Sequence, residues 1–167
     1  GDISGWDVSS VTNMSGMFRE THFSGDISRF NVSNVTDMSF MFSGTHFNGD
    51  ISGWNVSSVS DMSCMFLSAF SFNGDISTWN VSSVTNMANM LKTASSFNGD
   101  ISGWDVSSVT NMFSMFRDTP FNGDISGWDV SSVTDMRGML HMFTDCPIPE
   151  TNKPLFNFLV SCESNES

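Results

Sequence analysis

A chain of 167 residues has room for one ordinary domain, and with about a quarter of it Ile, Val, Leu and Phe it can build a core. Six basic residues against eighteen acidic ones give a formal net charge of -12. Such a surface repels phosphate backbones and anionic lipid, which excludes nucleic-acid binding and electrostatic membrane docking. No apolar run approaches the ~20 residues of a membrane span, so no membrane insertion is expected.

In chain order the first feature is a repeat. Gly-Asp-Ile-Ser recurs at Gly1, Gly25, Gly49, Gly74, Gly99 and Gly123, a period in the range that signals a stacked array. Trp6, Trp54, Trp79, Trp104 and Trp128 form a column, with Phe30 in the missing place, and two Val columns begin at Val8 and Val11. Twelve of the thirteen methionines fall into columns beginning at Met14 and Met17. Phe18, Phe42, Phe66, Leu91, Phe116 and Leu140 follow, and Phe23, Phe47, Phe72, Phe97 and Phe121 close the units. About eight apolar residues per unit cannot close a core alone, so neighbouring units must bury one another.

Two local periods predict the elements. Phe47-Asn48-Gly49-Asp50-Ile51-Ser52 alternates apolar or small with polar, the pattern of a strand with one buried face. Met14, Met17 and Phe18 have the spacing of a short helical turn, for which Thr12, Thr36 and Ser60 would supply caps. The expected fold is a repeat solenoid: a leucine-rich-repeat-like, right-handed stack of six 24–25-residue coils, each a short parallel β-strand plus a short helical turn, spanning 1–143. The tail, 144–167, holds Pro147, Pro149 and Pro154 and then the apolar run Leu155-Phe156-Asn157-Phe158-Leu159-Val160, and is expected to form an irregular C-terminal cap. No matching cap stands at Gly1, which predicts either a longer array upstream or an end that meets a partner.

The unit Phe-Asn-Gly-Asp-Ile-Ser-x-Trp-Asp/Asn-Val-Ser-x-Val-Thr-Asn/Asp-Met-Ser-x-Met-Phe resembles the BspA-like leucine-rich-repeat surface proteins, in their branch of ~25-residue surface-protein repeats. The resemblance covers 1–143. It implies a right-handed solenoid on secreted or surface-anchored proteins, adhesion to host or matrix proteins, and no catalytic residue to carry over.

Several polar features invite a chemical reading. Asp2, Asp26, Asp50, Asp75, Asp100 and Asp124 would stack and repel, so calcium could compensate them, with Asn48, Asn73, Asn98 and Asn122 flanking. The alternative is that each Asp accepts backbone N–H bonds at its own bend. His22 and His46 share a position in successive units but lack a third ligand for zinc. Cys146 and Cys162 could form a disulfide closing the tail and contribute roughly 3 kcal/mol, leaving Cys64 unpaired; three free thiols are the alternative. Sequons stand at Asn13, Asn31, Asn34, Asn55, Asn80 and Asn165 and would carry glycans on a secreted eukaryotic chain. The Met columns read as core, since a thioether fills irregular gaps beside aromatics. Phe40, Phe70 and Phe113 replace small or polar counterparts and are the candidate partner contacts, unless loop packing draws them in.

No nucleophile–base pair, phosphate loop or metal triad is legible, and no cofactor is expected beyond that calcium alternative. The functional expectation is therefore a non-enzymatic, secreted or cell-surface interaction module binding a protein or glycan. The alternative is a structural subunit that self-associates into a filament or surface layer.

Overall fold

The computed structural model describes residues 1–134, 139 and 141–156. The repeats lie in register, each unit hydrogen-bonded to the next. From unit one to unit two the N–H groups of Met14, Gly16, Phe18 and Glu20 donate to the carbonyls of Asp37, Ser39, Met41 and Ser43. The same four bonds recur from Met38, Phe40, Phe42 and Gly44 and at the two following interfaces. In the opposite sense Thr36, Ser60, Thr85 and Thr110 donate their N–H to Thr12, Thr36, Ser60 and Thr85.

The expected leucine-rich-repeat-like solenoid, with a strand and a helical turn in every coil, is not what forms. Among the described residues there is no strand; single parallel bridges link Asn13, Asp37, Asp61, Asn86 and Asn111. Among the same described residues helical backbone is found at Met139, His141 and Met142 and in one 3-10 turn, Glu150–Asn152. The units are built from successive turns.

Each failure has a physical cause. In the expected strand, Phe47 and Ile51 do bury while Asn48 and Asp50 face solvent, so the alternation is real. But the Asp50 carboxylate takes the Ser52 N–H at 3.0 Å and Trp54 N–H closes a turn on the Ile51 carbonyl, which bends the segment before it can pair. In the expected helical turn, Gly16, Phe40, Cys64, Asn89 and Ser114 have φ between 52° and 64°. A left-handed residue there stops a helix: alternate N–H groups go to the neighbouring unit, and those between them close turns three residues back. The Thr12 column is accordingly no helix cap: Thr36, Ser60, Thr85 and Thr110 hydroxyls each donate to the preceding unit's carbonyl at 3.1–3.2 Å.

One column is also shifted. Phe116 N–H donates to Met142 O and the Phe116 ring stacks on Phe143 at 5.8 Å, so Phe143, not Leu140, completes the Phe column. Met139 and Met142 take the two buried Met positions of the last unit. Counted from the preceding unit, three extra residues fall between Val133 and Met139.

The core runs the length of the array. Phe42, Phe66 and Phe116 are fully buried, Phe42 and Phe66 stack at 5.5 Å, and Trp54 stacks on Trp79 at 6.5 Å. Each indole from Trp54 onward donates Nε1–H to an Ile carbonyl of the preceding unit at 3.0–3.2 Å, which ties the Trp and Ile columns together. Beyond Phe143, Ile148 and Pro154 are buried, and Asn152 receives Ile125 N–H and donates Nδ2–H to Asn122 O, so 144–156 lies against the sixth unit. Leu155, the start of the tail's apolar run, is 82% exposed.

Candidate functional site

The units repeat almost verbatim along most of their length and differ mainly in one strip, the segment from Ser15 to His22 and its counterparts. This is the segment whose alternate N–H groups interlock successive units. Its inward positions hold Met and Phe or Leu; the positions between them change from unit to unit. One of these columns reads Gly16, Phe40, Cys64, Asn89, Ser114, with Cys64 and Ser114 buried, and another Arg19, Ser43, Leu67, Lys92, Arg117, with Ser43 buried.

The backbone of the strip is strained. Glu20, Phe40, Cys64, Ser68, Asn89, Thr93, Ser114 and Asp118 are non-glycine residues at positive φ, a conformation costing roughly 1–2 kcal/mol per residue. The interlocking bonds hold them there. Ser114 is buried, and its Oγ has no hydrogen-bond partner among the described residues.

Two of the three expected aromatic contacts lie on this strip and the third at its edge. Phe40 is half-buried beneath the Arg19 guanidinium, which sits 5.0 Å from the ring centroid. Phe113 is half-buried with its ring edge-on to His141 at 6.1 Å. Phe70 is 43% exposed and tilts against the His46 ring at 6.0 Å. Arg19 pairs with Glu20 and Arg117 with Asp118, each at 3.3 Å. Sequence reading missed the role of Arg19, Lys92 and Arg117 as one column, although their spacing carried it.

The Asp column lies elsewhere and has a local use. Asp2, Asp26, Asp50, Asp75, Asp100 and Asp124 each accept the N–H of the Ser two residues on at 2.9–3.0 Å. Bonds to the Ser N–H, foremost for Asp2, Asp26 and Asp100, and to the Ser hydroxyl, foremost for Asp50, Asp75 and Asp124, hold these carboxyls below the usual carboxylate range. Asp7, Asp105 and Asp129 are lowered in the same way by Ser9, Ser107 and Ser131. Among the described residues no three His, Cys, Asp or Glu come together to hold a metal ion. The Asn residues beside this column link units: Asn48, Asn73 and Asn98 Oδ1 accept the N–H of Asn73, Asn98 and Asn122 at 2.9–3.0 Å.

A pH dependence follows from these turns. A carboxyl whose pKa is lower folded than unfolded contributes stability that is present above the unfolded value, about 3.9, and lost as pH falls through the folded one. Melting followed by circular dichroism should therefore be flat near neutrality and fall as pH drops below about 4. A melting temperature that rises on acidification would show that relief of acidic repulsion outweighs the turns.

The sequons divide by their bonding. Asn13 Nδ2 donates to Asp37 Oδ2 at 3.1 Å and Asn34 Nδ2 to Ser9 O at 2.8 Å. Asn31, Asn55 and Asn80 are exposed, and their Oδ1 atoms hold the hydroxyls of Ser33, Ser57 and Ser82 at 2.7–2.8 Å. Asn165 lies outside the described residues. So does Cys162, and with it the expected tail disulfide; Cys146 donates its Sγ–H to Phe121 O at 3.1 Å, and Cys64 is buried. Burial pushes the Cys64 thiol pKa up. No helix among the described residues is long and apolar enough to cross a membrane.

A family model described as "Mycoplasma protein of unknown function, DUF285" aligns to residues 1–88 and again to 47–154, taking in all the units. No curated protein and no solved structure matches the chain.

Proposed function

Because the chain belongs to the family described as Mycoplasma protein of unknown function, DUF285, we propose that it is a non-enzymatic binding module of the BspA-like surface type, displayed outside the cell and recognising a protein or glycan through its variable strip. One observation carries the reading: residues that differ between units gather on the segment whose backbone is most firmly interlocked. A rigid frame with changeable side chains loses little conformational freedom on binding. Strained left-handed backbone is also concentrated on that segment. Half-exposed aromatics beside Arg and His give it anchors of the kind that dominate interface energies.

The test uses residues borrowed from other units, so that folding is preserved. Phe40→Gly copies Gly16, Phe113→Ser copies Ser15, and Phe70→Ser copies Ser95, which stands at the matching place of the next unit. Wild type and the triple variant are screened against purified extracellular-matrix proteins and a glycan array, with light scattering alongside. The expected result is a ligand whose Kd weakens at least about tenfold in the variant, an effect of the size hot-spot loss produces. Binding that ignores all three substitutions would overturn the strip as the contact surface. Self-association without any ligand would favour the structural-subunit alternative.

A further inference from the structure

We propose that the Asn-Gly steps opening units three, four and five, Asn48-Gly49, Asn73-Gly74 and Asn98-Gly99, are sites of spontaneous self-modification in the folded protein, converting asparagine to aspartate and isoaspartate. This edge of the molecule is distinct from the variable strip, so the inference stands or falls separately from the binding reading.

Three observations converge. Each Asn side chain is exposed, and the N–H groups of Gly49, Gly74 and Gly99 donate no hydrogen bond among the described residues, which leaves the attacking nitrogen unprotected. Each Asn Oδ1 accepts the next unit's backbone N–H at 2.9, 2.9 and 3.0 Å, a donor placed where negative charge develops when Cγ is attacked. Finally, the packing demands glycine here. A Cβ on Gly49 would meet the Phe47 ring at 2.7 Å, and on Gly74 and Gly99 the Phe72 and Phe97 rings at 3.0 and 3.3 Å, so the least hindered neighbour for cyclisation is built into the fold.

The chemistry needs only water. The Gly nitrogen loses its proton to solvent base and bonds to Cγ, the Cγ–Nδ2 bond breaks, and ammonia leaves to give a five-membered succinimide. Water then adds to either carbonyl, and the ring opens to aspartate or, with the chain rerouted through the side chain, to isoaspartate. No electrons are transferred. Each conversion adds one negative charge two residues before Asp50, Asp75 or Asp100. Aspartate keeps an oxygen that can accept the N–H, but isoaspartate displaces the acceptor of the Asn Oδ1 to N–H links, and among the described residues no backbone–backbone bond from 47–53 joins one unit to the next. Conversion therefore loosens one edge of the array with age while the interlocked strip stays closed.

The full chain is incubated folded at mildly alkaline pH and, in parallel, unfolded in urea. Peptide mass mapping then reads the exchange of ammonia for water, and enzymatic methylation of isoaspartate locates the rerouted linkages. The expected result is progressive conversion at Asn48, Asn73 and Asn98 in the folded sample, new acidic species on ion exchange, and a lower melting temperature in the converted fraction. Asn73→Ser, the residue found as Ser24 immediately before unit two, should fold and lose only the signal from its own site. Folded protein that stays unmodified while the urea sample converts would overturn the proposal, since the Asn links would then be shielding the steps. Conversion without any change in melting temperature would overturn the loosening.

Discussion

Phe66→Ala should lower the unfolding free energy by about 3–5 kcal/mol, among the larger losses a single core truncation produces. Phe66 is fully buried, its ring 3.8 Å from that of Phe72, 5.5 Å from Phe42 and 6.5 Å from Trp79. One of those contacts lies within its own unit, one reaches the unit before and one the unit after, so the cavity weakens both a unit and its interfaces. Phe66→Leu should cost far less, under about 1.5 kcal/mol, because the cavity is smaller. Leu91 fills the same column in the next unit and is itself fully buried, which shows that the position accepts a branched aliphatic. Urea denaturation of the three proteins measures both differences. Equal, small losses for Ala and Leu would mean that the column is loosely packed and can collapse around the gap.

The second large effect is expected from two glycines four residues apart. Gly49→Val should destabilise by about 1–3 kcal/mol through overpacking. A Cβ there lies 2.7 and 2.8 Å from two atoms of the Phe47 ring. That ring has little freedom to move aside, since it is 1% exposed and stacked on Phe42 at 4.4 Å. Gly53→Ala should instead be neutral or stabilising by up to about 1 kcal/mol, from reduced freedom of the unfolded chain. Nothing lies within 4 Å of a Cβ at Gly53, its φ is not in the left-handed region, and the same column holds Arg29 and Thr78. Thermal melts of the two variants decide the matter; a Gly53→Ala loss as large as that of Gly49→Val would contradict this packing.

The difference between those glycines also marks how far sequence reading could go. Verbatim columns such as the Trp and Val positions are legible because burial against an identical neighbour forces identity. The inward placing of Phe47 and Ile51 was legible for the same reason. The backbone that carries them was not. Met14, Met17 and Phe18 have helical spacing, but they are presented by turns broken at a left-handed residue, and only Gly16 and Gly44 in the two left-handed columns advertise it. Phe40, Cys64 and Thr93 adopt that conformation with no local signal, since bonds from the neighbouring unit impose it.

The register of the last unit was hidden differently. Met136 and Met139 fit the Met columns by count, and the Phe116 bond to Met142, the Phe116–Phe143 stack and the burial of Met139 and Met142 show that the latter two fill them. At the candidate site, the strip's variable residues were visible as departures from the repeat. Their grouping with Arg19, Lys92 and Arg117 was carried by the repeat spacing and passed over; the inter-unit bonds show that this column lies on the interlocked segment. The Asn residues suggested as calcium flanks turn out to fasten one unit to the next.

The sense of the interlocking bonds gives the array a polarity. At each of the first four interfaces four N–H groups point toward the following unit, and fewer point back. Peptide dipoles that mostly share one direction add rather than cancel, as they do along a helix. The face toward lower residue numbers is thus rich in carbonyl oxygen and the face toward higher numbers in N–H. Any further unit can lengthen the array in one orientation only, so growth by such stacking is head-to-tail and a two-fold symmetric end-on dimer is disfavoured.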